Sequence, residues 1–164
     1  MEIIKSSKLY SFLVLYDMQT TFFKNVLDGI SDQDTHNRLN TKANHIAWLT
    51  GSLVEQRYYL ANELGIDGRQ QAFELFKDNK GILDDAVYPS LEVFRNDWDR
   101  ISPLLRSALV EATEDQLNKE IEMGPGQKMS FYDLISFFIY REANIIGQLA
   151  LWRRLLNYPA MKYM

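Results

Sequence analysis

The chain has no cysteine, and its only imidazoles belong to His36 and His45. Thiolate nucleophiles, thiolate metal ligands and disulfides are therefore excluded, and any imidazole chemistry rests on two positions. His36 lies in the polar connection ISDQDTHNRLN, residues 30–40, and reads as exposed; His45 lies in the apolar stretch NHIAWLTGSL, Asn44 to Leu53. A second polar pair, Arg141 and Glu142, interrupts an otherwise apolar run, REANIIGQLALWRRLLNYP. An arginine offers a planar fork of donors that fits a carboxylate. His45, Arg141, Glu142, Ile145, Glu55, Tyr16 and Tyr59 (or its neighbour Tyr58) are accordingly the candidate lining of a pocket for a small anionic ligand. The plainer expectation is structural, with His45 a hydrogen-bonded core residue and Arg141 paired to Glu55 or Glu142. No nucleophile elbow is present, and the Gly124-Pro125-Gly126 turn lacks the lysine and hydroxyl residue of a phosphate loop, so no catalytic residue is assigned.

The elements that must position these residues are helical. Ser130 with Asp133 three residues later is a cap signature, so a long helix is expected from about Phe131 through Asn157, with Arg153 and Arg154 near its negative end and Pro159 beyond it. Its apolar positions form a face wide enough for two neighbouring helices, and Gln148 is expected as a buried amide. A first helix is expected from Lys8 to Leu27, capped by Ser6 or Ser7 and closed by Gly29. A second runs from a cap at Asn40 or Thr41 to Gly65, and a third starts at Pro89-Ser90 and runs to Val110, with Pro103 predicted to kink it near Asp99 to Ser102 or else to divide it in two. Ser31 and Asp34 predict one short turn, as do Phe73 to Phe76 within the surface excursion 67–85 and the segment from Thr113. Gly51 and Gly147, inside helices, predict close helix approach, and Trp48, Trp98 and Trp152 predict core or interface aromatics. Ile3-Ile4 and Glu120 to Met123 are too short to pair as strands, so the fold class is all-α, built on four long helices.

The length of 164 residues suits a single domain over 1–164, and the hydrophobic fraction of 46% supplies a core. A net charge of -4 argues against nucleic acid as partner, since phosphate backbones need clustered cations. No apolar run reaches membrane-spanning length and no leader pattern opens the chain, so no membrane partner is expected and the expected location is cytoplasmic.

NHIAWLTGSL and REANIIGQLALWRRLLNYP together resemble the DinB-like superfamily, and the ISDQD connection, the YPSLEVF helix start and the TEDQL turn are similar to that family's punctuation. The resemblance implies an up-down-down-up four-helix bundle with short extra helices in its connections. It also implies a divalent metal held by three histidines, one on the second helix and two on the fourth. His45 matches the first position, but Arg141 and Ile145 occupy the other two, and neither offers a lone pair. The expectation is therefore no metal and no cofactor, and a small-molecule binding or interaction protein of this fold that forms a homodimer through a helical face. The alternative is a metal-dependent thiol transferase or hydrolase that has rebuilt an ion site from His45 and carboxylates.

Overall fold

Apolar residues recurring every three to four positions fold the chain into helices, and the computed structural model, which describes residues 4–163, is mostly helical. In chain order these are α1 (Tyr10–Leu27), α2 (Ile46–Glu63), the single turn α3 (Phe73–Phe76), α4 (Leu91–Glu111), the short α5 (Glu114–Asn118) and α6 (Phe131–Leu155). Helix α1 packs against α4 and α6, and so does α2. No helix among the described residues is long and apolar enough to cross a membrane.

The caps explain most of the boundaries. Ser130 Oγ accepts the Asp133 amide, 3.0 Å away, and starts α6 at Phe131 as expected. Thr113 and Gln116 form a reciprocal capping box on α5, and Ser31 accepts from Asp34 above a 3-10 turn, Asp32–His36. Gly29 follows α1 at φ 70, a conformation that costs glycine little. Two expected caps are corrected. Neither Ser6 nor Ser7 caps α1: a 3-10 turn, Ser7–Leu9, precedes it, so Leu9 takes the cap position with no side-chain bond, and the Ser6 hydroxyl donates to Glu114 Oε1 at 2.5 Å. Helix α2 starts at Ile46 and not at Asn40 or Thr41, because His45 is its cap. Helix α4 runs through Pro103 as one element.

The interior is layered by aromatic contacts. Phe23 on α1 stacks on Trp98 of α4 with ring centres 3.9 Å apart and planes at 11°. A methyl group at Gly51 would lie 2.2 to 2.7 Å from ring atoms of Phe76 and Phe94, so the close approach predicted there is real. At Gly147 it is not: that glycine is exposed and a methyl would meet nothing within 4 Å. Gln148 is exposed too and bonds Asn144, so its expected burial is also corrected. The buried side of α6 runs through Glu142, Ile146, Leu149 and Arg153, and at about 100° per residue Gly147 and Gln148 turn outward.

The expectation of no paired strands is overturned. Strand β1 (Glu120–Gly124) pairs antiparallel with β2 (Gln127–Ser130) across a turn in which Gly126 takes φ 74. So short a hairpin is marginal alone. Here Ile121 is buried in the core, and the Phe131 amide bonds the Lys119 carbonyl at 2.9 Å, tying the hairpin to the start of α6. Ile4 is not in a strand, and Ile3 lies outside the described residues.

Candidate functional site

Between the long helices lies an ion pair shielded from water. Arg57 of α2 and Glu142 of α6 are both buried, with Nε to Oε1 at 2.8 Å and Nη2 to Oε2 at 2.9 Å. The guanidinium carbon sits 3.9 Å from the centre of the Tyr16 ring and 3.5 Å from that of Trp98, a double cation–π contact. The remaining donor, Nη1, reaches Thr20 Oγ1 at 2.8 Å and Ser102 Oγ at 2.7 Å. Four helices thus converge on one cation. Arg57 was not among the sequence candidates. Its signal was a charged residue at the centre of an apolar helix, which in a packed interior has to find a counter-charge.

Glu142 is therefore spent on Arg57, and the pairing of Arg141 with Glu142 or Glu55 is corrected. Arg141 donates from Nη2 to Ser52 Oγ at 2.7 Å and from Nη1 to Gln56 Oε1 at 3.0 Å. Gln56 in turn donates to the Phe138 carbonyl at 3.0 Å, with Glu142 Oε1 at 3.4 Å. Among the described residues no carboxylate pairs with Arg141. Burial lowers its pKa from the ordinary value, the Glu142 charge acting against that.

Arg141 faces a cavity of about 620 Å³, between α2, α6, the 73–80 segment and the tip of the hairpin at Glu122 and Met123. One wall is aromatic, with Trp48, Phe76, Tyr59 and Phe138 among its rings; Lys77, Asp78, Lys80 and Glu122 stand on the rest, and Glu55 also lines it. The Glu55 carboxylate accepts from Gln70 Nε2 at 2.7 Å, and burial raises its pKa. The volume lies within the range of small-molecule sites, and an aromatic wall with a few oriented polar groups is their usual make-up.

The sequence candidates thus divide. Arg141, Glu55 and Tyr59 line the cavity. Tyr16 lies in the core against Arg57, its hydroxyl donating to the Ser102 carbonyl at 2.8 Å, and burial pushes its pKa up. Ile145 is a core residue, and Tyr58 bonds Arg100 on the other side of α2. His45 stands at the start of α2, where its Nδ1 accepts the Trp48 amide at 3.1 Å. Its ring lies 4.9 Å from those of both His36 and Tyr88. Burial, then the nearby His36 and Arg38 charges, lower its pKa to about 4.

These positions do not fit a divalent ion. His45 uses its Nδ1 lone pair as a cap, and it stands two helical turns, about 10 Å, from the level of Ser52, where Arg141 is anchored. Arg141 and Ile145 have no lone pair to give. Among the described residues no three His, Asp or Glu side chains are grouped to hold a metal. What the arrangement offers is an oriented, half-buried cation in a cavity with one aromatic wall, suited to holding a carboxylate on an apolar body. The chain matches no family model and no curated protein.

Proposed function

We propose that the chain is a DinB-like four-helix bundle that binds a small apolar carboxylate without a metal, with Arg141 holding the carboxylate and the aromatic chamber holding the rest. The observation that carries the binding reading is Arg141 itself, a half-buried guanidinium fixed by two neutral side chains and left without a counter-ion at the wall of a cavity. Arginine with donors to spare and no internal acid is poised to accept an external one.

The bundle reading is supported by the order of cross-helix contacts. Tyr16 and Thr20 of α1 meet Ser102 and Trp98 of α4, so these two run in opposite senses. Phe12 and Gln19 meet Tyr132 and Ile139 of α6, so α1 and α6 run in the same sense. Asn44 meets Trp152, and Ser52 meets Arg141, so α2 and α6 oppose. Together these support the up, down, down, up reading. Self-association through α6 belongs to the same proposal, because Tyr140, Leu151 and Leu155 are exposed along one stripe of that helix; a monomer in analytical ultracentrifugation at micromolar concentration removes it.

Thermal-shift titration of the purified chain with a panel of aliphatic and aromatic monocarboxylates tests the binding reading. The expected result is a concentration-dependent rise in Tm for at least one acid, lost in Arg141→Ala. A panel without a shift, or an equal shift in Arg141→Ala, ends the proposal.

A further inference from the structure

The same cavity is also lined by acidic side chains, Glu55, Asp78 and Glu122, of which Glu55 lies on α2 with Ser52, the anchor of Arg141. Glu55 lines it with Arg141, yet the two do not pair. Each is oriented by neutral partners: Arg141 by Ser52 and Gln56, Glu55 by the amide of Gln70. Among the described residues no cation pairs with Glu55. Ser52 and Glu55 are three positions apart on α2, so their Cβ atoms are neighbours at about 5 to 6 Å, and the carboxylate and the guanidinium anchored at Ser52 reach the cavity from adjacent positions of that helix without forming an ion pair.

Two opposite charges lining one cavity attract each other. Holding them apart with neutral hydrogen bonds leaves both available to something between them. A carboxylate alone would satisfy Arg141 and sit unfavourably beside Glu55, and an amine alone would do the reverse. A molecule bearing both groups a short distance apart satisfies both at once. The surroundings agree. Gln70 is buried behind the lining; its Nε2 donates to Glu55 and to the Gly51 carbonyl, fixing the carboxylate, and its Oε1 has no partner. The Nε1 of Trp48, in the cavity wall, is likewise a buried donor without a partner. Aromatic faces such as Trp48 and Tyr59 attract cations as well as apolar surface.

We propose that the ligand of this cavity is a zwitterion of the α-amino acid type with an apolar or aromatic side chain, its carboxylate on Arg141 and its ammonium on Glu55. This rests on the carboxylate-binding reading above and narrows it.

Isothermal titration calorimetry with three probes of one shape separates the two. L-phenylalanine carries both charges, 3-phenylpropionate lacks the ammonium, and 2-phenylethylamine lacks the carboxylate. Phenylalanine is expected to bind tightest, with each single-charge probe weaker by about tenfold or more, the loss typical of one buried charge-assisted hydrogen bond. Glu55→Gln is expected to abolish the preference for phenylalanine over 3-phenylpropionate while 3-phenylpropionate binds more tightly than to the wild-type protein, which also shows that the variant is folded. If 3-phenylpropionate binds the wild-type protein as tightly as phenylalanine does, or Glu55→Gln keeps the preference, the zwitterion is excluded and the simple carboxylate reading stands. If neither phenylalanine nor 3-phenylpropionate binds, the zwitterion inference is overturned, and the monocarboxylate panel decides the broader reading separately.

Discussion

Arg57 and Glu142 meet in a two-point contact across α2 and α6, both side chains at 2% exposure or less, with the guanidinium clamped between Tyr16 and Trp98. Burying two charges costs several kcal/mol per ion, and a two-point contact with every nitrogen of the Arg57 guanidinium engaged offsets that cost. The pair fixes how α2 and α6 sit against each other. It thereby fixes Gln56 and Arg141, each one position along from a member of the pair.

Removing one partner strands the other. Glu142→Leu and Arg57→Met are each expected to lower the unfolding free energy by about 3 to 5 kcal/mol, because a buried charge is left unpaired. The double variant Arg57→Met with Glu142→Leu is expected to be much less destabilised than the sum of the two sites. Urea denaturation of the four proteins closes the cycle. Additive losses would mean that the two side chains do not act as a unit.

The two helical glycines are expected to respond in opposite directions. Gly51→Ala gains about 1 kcal/mol of helix propensity but drives a methyl group into Phe76 and Phe94, whose ring atoms would lie 2.2 to 2.7 Å away. Overpacking of this kind costs about 1 to 3 kcal/mol, and the measured Tm should fall. Gly147→Ala meets open space and should raise it. A rise at both positions would place Gly51 outside the tight contact with α3 and α4.

Much of this was legible before any coordinates. Caps are local chemistry, so Ser130, Ser31 and Thr113 announced their turns, and the apolar spacing announced four long helices. What failed depends on neighbours distant in sequence. The hairpin Glu120–Gly124 with Gln127–Ser130 is too short to hold alone and exists because Ile121 is buried in the helical core. Gln148 and Gly147 were assigned inward from a broad apolar face whose phase only packing could settle. Arg57 was missed and Arg141 wrongly paired for the same reason: composition tells that Glu142 needs a cation, but not which of two arginines on different helices reaches it.

Gln56 joins the core pair to the cavity. Its Oε1 accepts from Arg141 and its Nε2 donates to the Phe138 carbonyl. Gln56→Leu, which keeps the bulk and removes both functions, is expected to cost about 1 to 3 kcal/mol of stability. It should also weaken carboxylate binding, because the Arg141 fork loses one of its two anchors. Calorimetric titration of the variant with any acid that shifts the wild-type protein measures this, and an unchanged Kd would show that Ser52 alone orients the guanidinium.

His45 sets a pH dependence. Its imidazole titrates at about 4 in the folded chain against 6.5 ordinarily, mainly because it is buried. Between those values the unfolded chain takes up a proton that the folded chain refuses. The contribution is therefore fully present above pH 6.5, is lost as pH falls toward 4, and changes no further below that. The total is on the order of 2 to 3 kcal/mol. The loss has a local cause as well, since protonating Nδ1 replaces the lone pair that accepts the Trp48 amide with a second N–H. His45→Asn retains an N-cap acceptor and removes the titration. Urea unfolding of both proteins at half-unit steps from pH 7 to 4 should show the wild-type protein losing stability faster than the variant across that window, with carboxylate titration common to both cancelling in the difference. Parallel curves would mean that His45 keeps an ordinary affinity for protons and is not sealed at the start of α2.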